Sequence, residues 1–142
     1  MFFDADFVTI QIVIMEKDFK SWHIAKTDLD ESKVRAFFHE REIWFASIGL
    51  NVGFEQDGRG TSFLRPVIVL KKFNNEVLWI IPLTKNRKKG KYYFTFSFDD
   101  SVSTAILSQI RLIDAKRLQY KIGDINEVKF GELKQKLTQL LA

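Results

Sequence analysis

The feature that most constrains the fold of this chain is a change in its hydrophobic pattern at Arg41. From that residue on, short apolar or alternating segments are separated by polar breaks, a pattern typical of a small β-barrel. In one segment Phe94, Phe96 and Phe98 alternate with polar residues, which predicts a strand with one face in the core and one in solvent. The predicted strands are Glu42 to Ile48, Arg65 to Lys71, Val77 to Leu83, Lys91 to Phe98 and Ala105 to Ile113.

Both flanks of this region show helical spacing. Before it, Phe19, Trp22 and His23 recur at three- and four-residue intervals, which predicts an amphipathic helix from Glu16 to about Thr27. After it, leucines and a valine fall on one helical stripe behind Asp124, a predicted helix cap. This second helix is expected to close the barrel.

These patterns predict an α+β fold, mainly β with helices, in which residues 41–142 form the barrel and residues 1–40 a helical amino-terminal extension. Hydrophobic residues make up 46% of the 142 residues and aromatic residues 14%, which supplies one compact core but not two. Trp44 and Trp79 fall on predicted strands and are expected in that core. The first fourteen residues are either a short strand or translated sequence upstream of a start at Met15, and the sequence leaves both open.

The composition excludes several kinds of site. The chain has no cysteine, so disulfide bonds, thiolate zinc sites and a cysteine nucleophile are ruled out. His23 and His39 have no second ligand at metal-binding spacing, and we expect neither a metal nor another cofactor. No apolar run reaches the ~18 to 20 residues of a membrane span. The apolar segment Phe7 to Met15 lacks the flanks of a secretory signal, so a cytoplasmic protein with no membrane partner is expected.

Charge is distributed unevenly along the chain. Residues 1–40 carry 5 Lys and Arg against 8 Asp and Glu, whereas residues 41–142 carry 17 against 10. A basic surface attracts polyanions such as RNA over long range, so the second part is the better candidate for nucleic-acid binding. The run containing Lys85, Arg87 and Lys88 lies between two predicted strands. It is either a solvated hairpin tip or a loop that follows phosphates.

An ordered set of five motifs runs from the first predicted strand to the fifth. They are Glu42-Ile43-Trp44, then Gly53, Glu55, Gln56 and Gly58, then Arg65-Pro66-Val67 with Val69, then Pro82-Leu83-Thr84, and finally Gln109-Ile110-Arg111 with Ile113-Asp114. In this order and spacing the chain resembles PemK/MazF-like toxins of type II toxin–antitoxin systems, over roughly residues 41–141. The amino-terminal forty residues lie outside the resemblance.

The resemblance implies an SH3-like small β-barrel that forms a homodimer and cleaves single-stranded RNA without a metal. In such an endoribonuclease the neighbouring 2′-hydroxyl attacks the phosphate, so the protein must stabilise charge on phosphate oxygens and support proton transfer. Arg65 matches the family's catalytic arginine, whose fork of donors fits phosphate oxygens. Thr84 matches its catalytic threonine, a neutral hydrogen-bond donor.

Further residues are expected to contact RNA around this pair. They are Glu55, Gln56, Arg59, Lys85, Arg87, Lys88, Gln109 and Arg111. The resemblance also implies a cognate antitoxin protein that covers the RNA site with an acidic tail. Contact with operator DNA is expected through the complex with that antitoxin.

The chain departs from the family pattern at three places. Between Gly58 and Arg65 it has the six residues RGTSFL where the usual motif has one, so the placement of Arg65 depends on an inserted loop. Some family members use a histidine and an aspartate as an acid–base set, and Phe54 and Ser108 occupy those positions here. That version of the mechanism is therefore not carried over.

Two other functions and one local alternative stay open. A CcdB-like toxin acting on a protein target such as gyrase needs no phosphate chemistry, and a non-catalytic SH3-like module would bind nucleic acid without cutting it. Locally, Arg65 can instead form a surface ion pair with Glu55 while Thr84 merely ends a strand. An assay on single-stranded RNA separates the nuclease from the other two functions.

Overall fold

The computed structural model describes residues 16–142. The strand predicted within the first fourteen residues, and the start at Met15, lie outside the described residues. The elements are helix α1 (Phe19–Glu31), strands β1 (Glu42–Ser47), β2 (Leu64–Lys72), β3 (Val77–Thr84), β4 (Tyr93–Phe98), β5 (Ser101–Ile106), β6 (Arg111–Asp114) and β7 (Leu118–Asp124), and helix α2 (Glu127–Leu141).

The seven strands form one antiparallel sheet. Its order is β4-β5-β3-β2-β1-β7, and β6 pairs with β3 beside this path. The expectation of a mainly β fold with helices is therefore confirmed. Among residues 16–142 the end strands β4 and β7 do not pair with each other, so closure into an SH3-like barrel stays a prediction.

The central strands are buried on both faces. On β2, Val67 and Val69 enter one core together with Trp44 of β1, whereas Ile68 and Leu70 enter a second core that α2 covers. Strands buried on both faces have continuous apolar sequences, which is what β2 and β3 show. β4 keeps the predicted alternation, with Phe96 buried and its neighbours exposed.

Two predictions within the sheet are wrong, and one strand was not predicted. The segment predicted as one strand, Ala105 to Ile113, is divided by a short 3-10 helix, Leu107–Gln109, between β5 and β6. β7 has no counterpart among the predicted strands, because only its first residue is buried and its apolar pattern is weak. Trp79, expected in the core, is 42% exposed and packs edge-on against Phe73.

Hydrogen bonds to side chains set where the two helices begin. α1 starts after Asp18, whose carboxylate accepts a hydrogen bond from the Ser21 N–H. α2 is capped by Asn126 and not by the predicted Asp124, because the Asn126 side chain accepts from two N–H groups of the first turn. Of the three residues predicted to form one face of α1, only Trp22 is buried.

α1 is attached to the sheet through an aromatic contact. The ring of Trp22 packs edge-on against that of Phe63, with 5.2 Å between centroids. It also covers Gly49, where a Cβ would lie 2.1 Å from the indole. Gly49 has φ +76°, so glycine is favoured there both by the backbone and by the close approach.

The segment between α1 and β1 is attached to the sheet by an ion pair and by a buried aromatic side chain. Arg35 forms two 3.0 Å hydrogen bonds with the carboxylate of Asp114, which hold the pKa of that carboxyl below its ordinary value. Phe38 is fully buried in the core that contains Trp44. The extension therefore shares a core with the sheet, while the proposed domain boundary at residue 40 stays a prediction.

We predict that Gly49→Ala destabilises the protein more than Gly60→Ala does. Both positions have positive φ, +76° and +74°, so the backbone penalty is shared, but only a Cβ at residue 49 meets the Trp22 ring. Because of the clash, Gly49→Ala should lower the free energy of unfolding by about 1–3 kcal/mol more than Gly60→Ala does, as measured by urea denaturation. Equal losses in the two variants would contradict this packing of α1.

Candidate functional site

Residues 49–58, called here the site loop, follow β1 and have a defined internal structure. The side-chain amide of Asn51 donates to the carbonyls of Ile48 and Gln56, at 3.2 and 2.7 Å. The Asn51 N–H donates to the carboxylate of Asp57 at 2.6 Å. Such side-chain bonds to the backbone replace the pairing that an irregular segment lacks.

The six residues between Gly58 and Arg65 include a small hairpin. Arg59 and Leu64 exchange two backbone hydrogen bonds of 2.8 Å each. A Cβ at Gly58 would lie 1.6 Å from the Phe63 carbonyl oxygen, so the second glycine of the motif allows the chain to cross here. The insertion therefore folds back on itself and delivers the chain to β2.

Arg65 joins the site loop to the end of β3. It precedes Pro66, which favours an extended backbone at this position. Its Nε donates to the Asp57 carbonyl at 2.6 Å, and one Nη donates to the Leu83 carbonyl at 3.0 Å. A guanidinium has five N–H donors, so three are left for a ligand once these contacts within the described chain are counted. No ion pair joins Arg65 to Glu55 among residues 16–142, and Glu55 instead accepts a hydrogen bond within the site loop.

The electrostatic surroundings of Arg65 favour an anionic ligand. Burial lowers the pKa of Arg65, the positive charge of Arg59 lowers it further, and the carboxylate of Asp57 opposes both. An arginine titrates so far above neutrality that the group stays cationic. Burial lowers the pKa of Arg111 in the same way, with the charge of Glu55 opposing it. A partly desolvated cation attracts an anion more strongly than one in bulk water.

Thr84 ends β3 directly after Leu83, whose carbonyl accepts the guanidinium bond. Its hydroxyl oxygen accepts a hydrogen bond from the Asn86 N–H at 3.2 Å, so the hydroxyl proton can be donated to a ligand. Across the sheet Thr84 pairs with Thr104 of β5, which is buried and lies 3.0 Å from the Thr95 hydroxyl. The buried Thr104, bonded to the exposed Thr95, supports the strand end that carries Thr84.

Two neighbouring clefts meet at the site loop. Arg65 and Thr84 line one cleft of about 450 Å³, called here the Arg65 cleft. Arg111 lines the second, called here the Arg111 cleft. Residues of the site loop form the wall between the two; those that line both clefts are Phe54, Glu55 and Gln56.

The structure brings together most of the residues predicted to contact RNA. Lys85 and Arg87 are exposed on the same loop as Lys88, but among the described residues they line neither cleft. The others line one cleft or both, and they are Glu55, Gln56, Arg59, Lys88, Gln109 and Arg111. RNA contact by any of the eight stays a prediction.

Gln109 is bound to the site loop at both ends of its side-chain amide. Its Oε1 accepts from the Gln56 N–H at 2.8 Å, and its Nε2 donates to the Phe54 carbonyl at 2.9 Å. These bonds fix the loop from the short 3-10 helix after β5. The observed geometry gives Gln109 a positioning role that the motif did not indicate.

Two residues of the site have no counterpart in the sequence predictions. Asp57 offers its carbonyl to Arg65 and its carboxylate to Asn51, and its place inside the Gly53 to Gly58 motif is a signal that could have indicated this. Lys17 reaches the loop from the extension, 34 residues away from Asn51 in sequence. No sequence pattern indicates a contact of that separation.

Residues 16–142 contain no group of three or more His, Asp or Glu side chains that could hold a metal ion. His39 lies 3.5 Å from the carboxylate of Glu42, and His23 is exposed on α1. No helix of this range is long and apolar enough to cross a membrane.

Comparison with known protein families assigns the chain to one of them. Residues 40–141 match the family of PemK-like, MazF-like toxins of type II toxin–antitoxin systems. Because the match spans well over half of the sequence, the chain belongs to this family. A comparison with curated proteins finds no match.

Solved structures share the fold at low sequence identity. MazF (Form-I) from Deinococcus radiodurans is similar with 18% identity and a TM-score of 0.62, over 75% of this chain and 97% of that one. The Mycobacterium tuberculosis toxin MazF-mt6 shows 14% identity and a TM-score of 0.55, over 71% and 96%. A structure described as an endoribonuclease in complex with its cognate antitoxin, from Mycobacterial species, shows 10% identity and a TM-score of 0.59, over 74% and 95%.

We predict that Gln109→Leu loosens the site loop without unfolding the protein. Leucine retains the bulk of the side chain but makes neither of the two bonds to the loop. Hydrogen exchange at the Gln56 amide should become faster, whereas exchange in β2 and β3 should not change. Ser108→Ala, at an exposed neighbouring position, is the control. Unchanged exchange at Gln56 would show that Gln109 does not hold the loop.

Proposed function

We propose that this toxin is a metal-independent endoribonuclease that cuts single-stranded RNA in the Arg65 cleft. The observation that carries the proposal is the hydrogen bond from Arg65 to the Leu83 carbonyl. It places the guanidinium beside the residue that precedes Thr84, on two paired strands. Family membership adds support, since the family's catalytic arginine and threonine match these two positions.

The proposed reaction is a transesterification within the RNA, so it consumes no second reactant. The 2′-oxygen forms a bond to phosphorus while the bond from phosphorus to the 5′-oxygen breaks, which leaves a cyclic 2′,3′-phosphate and a 5′-hydroxyl. A proton leaves the 2′-hydroxyl, and a proton reaches the departing 5′-oxygen. The remaining N–H donors of Arg65 stabilise charge on the phosphate oxygens, and the Thr84 hydroxyl donates to another oxygen or to the bridging position.

Basic residues extend the proposed RNA path away from the reacting phosphate. Arg59 and Lys88 line the Arg65 cleft, and Lys85 and Arg87 continue the positive surface along the loop that holds Lys88. Arg111 adds a partly buried cation in the neighbouring cleft. Successive cations of this kind follow a phosphate backbone.

We also propose the assembly expected for such a toxin. A cognate antitoxin with an acidic segment would cover the basic Arg65 cleft, in keeping with the similar endoribonuclease described in complex with its antitoxin. The toxin would act in the cytoplasm as a homodimer with an SH3-like barrel, and would reach operator DNA through the antitoxin complex. The CcdB-like and non-catalytic alternatives are less favoured, since the chain matches the PemK-like, MazF-like family.

The proposal predicts that the purified protein cuts single-stranded RNA in the presence of EDTA. Arg65→Ala and Thr84→Val should each lower the single-turnover rate by about a hundredfold or more, because each removes a donor to the reacting phosphate. Valine keeps the shape of threonine and lacks only its hydroxyl.

Lys71→Ala is the matched control for the loss of charge. Lys71 is exposed near the opposite end of β2 from Arg65, so its variant should cleave at about the wild-type rate. Cleavage that disappears on chelation, or that persists undiminished in Arg65→Ala, would contradict the proposal. RNA bound but left intact by the wild type would favour the non-catalytic module.

A further inference from the structure

The ammonium group of Lys17 occupies a complete set of acceptors on the site loop. Its Nζ donates to the carbonyl of Asn51 at 2.6 Å and to that of Gly53 at 3.2 Å. It also lies 2.8 Å from a carboxylate oxygen of Asp57. An ammonium has three N–H donors, so each has an acceptor within this loop.

Lys17 is connected to the Arg65 cleft through a single residue. Asp57 accepts Lys17 with its carboxylate and accepts Arg65 Nε with its carbonyl. The other carboxylate oxygen accepts the Asn51 N–H. A shift of Asp57 would therefore move both the loop and the guanidinium.

The ion pair between Lys17 and Asp57 also affects the charge that an RNA phosphate meets. Asp57 lines the Arg65 cleft, where an uncompensated carboxylate would repel phosphate. The side chains of Lys17 and Asp57 are 21% and 25% exposed, so solvent screens their interaction only in part. The ammonium offsets the carboxylate and leaves the cations of the cleft to act on the ligand.

α1 holds Lys17 in place because the helix has its own contact with the site region, through Trp22. Trp22 packs on Gly49 at the start of the site loop and on Phe63 in the inserted hairpin. Asp18, next to Lys17, caps the helix through Ser21. The extension therefore contacts the beginning and the middle of the site loop and the hairpin that leads into β2.

We propose that Lys17 is a positioning residue for RNA cleavage, which makes the amino-terminal extension part of the functional site. Lys17 fixes the backbone of residues 51–53 and neutralises Asp57, so that Arg65 meets the scissile phosphate in the correct geometry. The inference rests on the proposed ribonuclease function. It also goes beyond the family match, because Lys17 lies outside residues 40–141.

Lys17→Met in the full chain tests this role. Methionine keeps a flexible apolar stem and removes the ammonium. Lys20→Met removes an equal charge from an exposed position of α1 and is the matched control. We expect kcat/KM for a single-stranded RNA to fall by about tenfold or more in Lys17→Met, since small displacements of a reacting group are costly. Lys20→Met should stay within about twofold of the wild type, as surface substitutions usually do.

Two further readouts separate positioning from general destabilisation. Amide exchange in Lys17→Met should accelerate in residues 51–57 and stay unchanged in β2 and β3. Lys17→Met should raise KM, and adding Asp57→Asn should lower KM part of the way back, because it removes the uncompensated carboxylate. The value of kcat should stay low in the double variant, because the loop is still released. Both results are measured well below the melting temperature of each variant.

The outcomes distinguish this inference from the function on which it rests. Identical exchange and identical kinetics in Lys17→Met and Lys20→Met would overturn it, and so would faster exchange throughout the sheet of Lys17→Met. If the wild type cuts no RNA, the proposed function fails, whereas loop exchange still reports whether Lys17 holds the loop.

Discussion

The candidate site depends on one half-buried guanidinium that holds two parts of the chain together. Arg65 donates to the Asp57 carbonyl in the site loop and to the Leu83 carbonyl at the end of β3. A carbonyl deprived of its donor in such a place costs free energy, so these bonds fix the distance between loop and strand. The same side chain retains donors for a ligand, and thus both shapes the cleft and supplies its charge.

Contacts from three other parts of the chain hold the site loop. Lys17 donates to it from the extension, Gln109 from the 3-10 helix after β5, and Arg65 from β2. Donors fixed before the substrate arrives stabilise developing charge without the cost of reorganisation. The loop is exposed but restrained, so the Arg65 cleft is open to solvent and still has a defined geometry.

The sequence predicts the elements whose pattern is local. The apolar segments of β1 to β3 and the alternation of β4 are visible in the residues themselves, and the ordered motifs place Arg65 and Thr84 at neighbouring strand ends. β7 is missed because an exposed edge strand has little hydrophobic pattern. The break at Leu107–Gln109 is missed because Leu107 continues the apolar end of β5. Trp79 is misplaced because hydrophobicity alone does not tell which face of a strand meets solvent.

The long-range contacts of the site could not be predicted in this way. The insertion between Gly58 and Arg65 places Phe63 against Trp22, and no pattern in either segment indicates the other. Gln109 is visible as a motif residue, but its two bonds to the loop depend on how β5 ends.

If Arg65 and Thr84 act on one phosphodiester, their contributions to the rate must be coupled. The most direct measurement is a double-mutant cycle on single-turnover RNA cleavage, with Arg65→Ala, Thr84→Val and the double variant. Groups that act as a unit are strongly non-additive, so we expect the double variant to be little slower than the slower single variant. Losses that multiply in the double variant would contradict a shared phosphate.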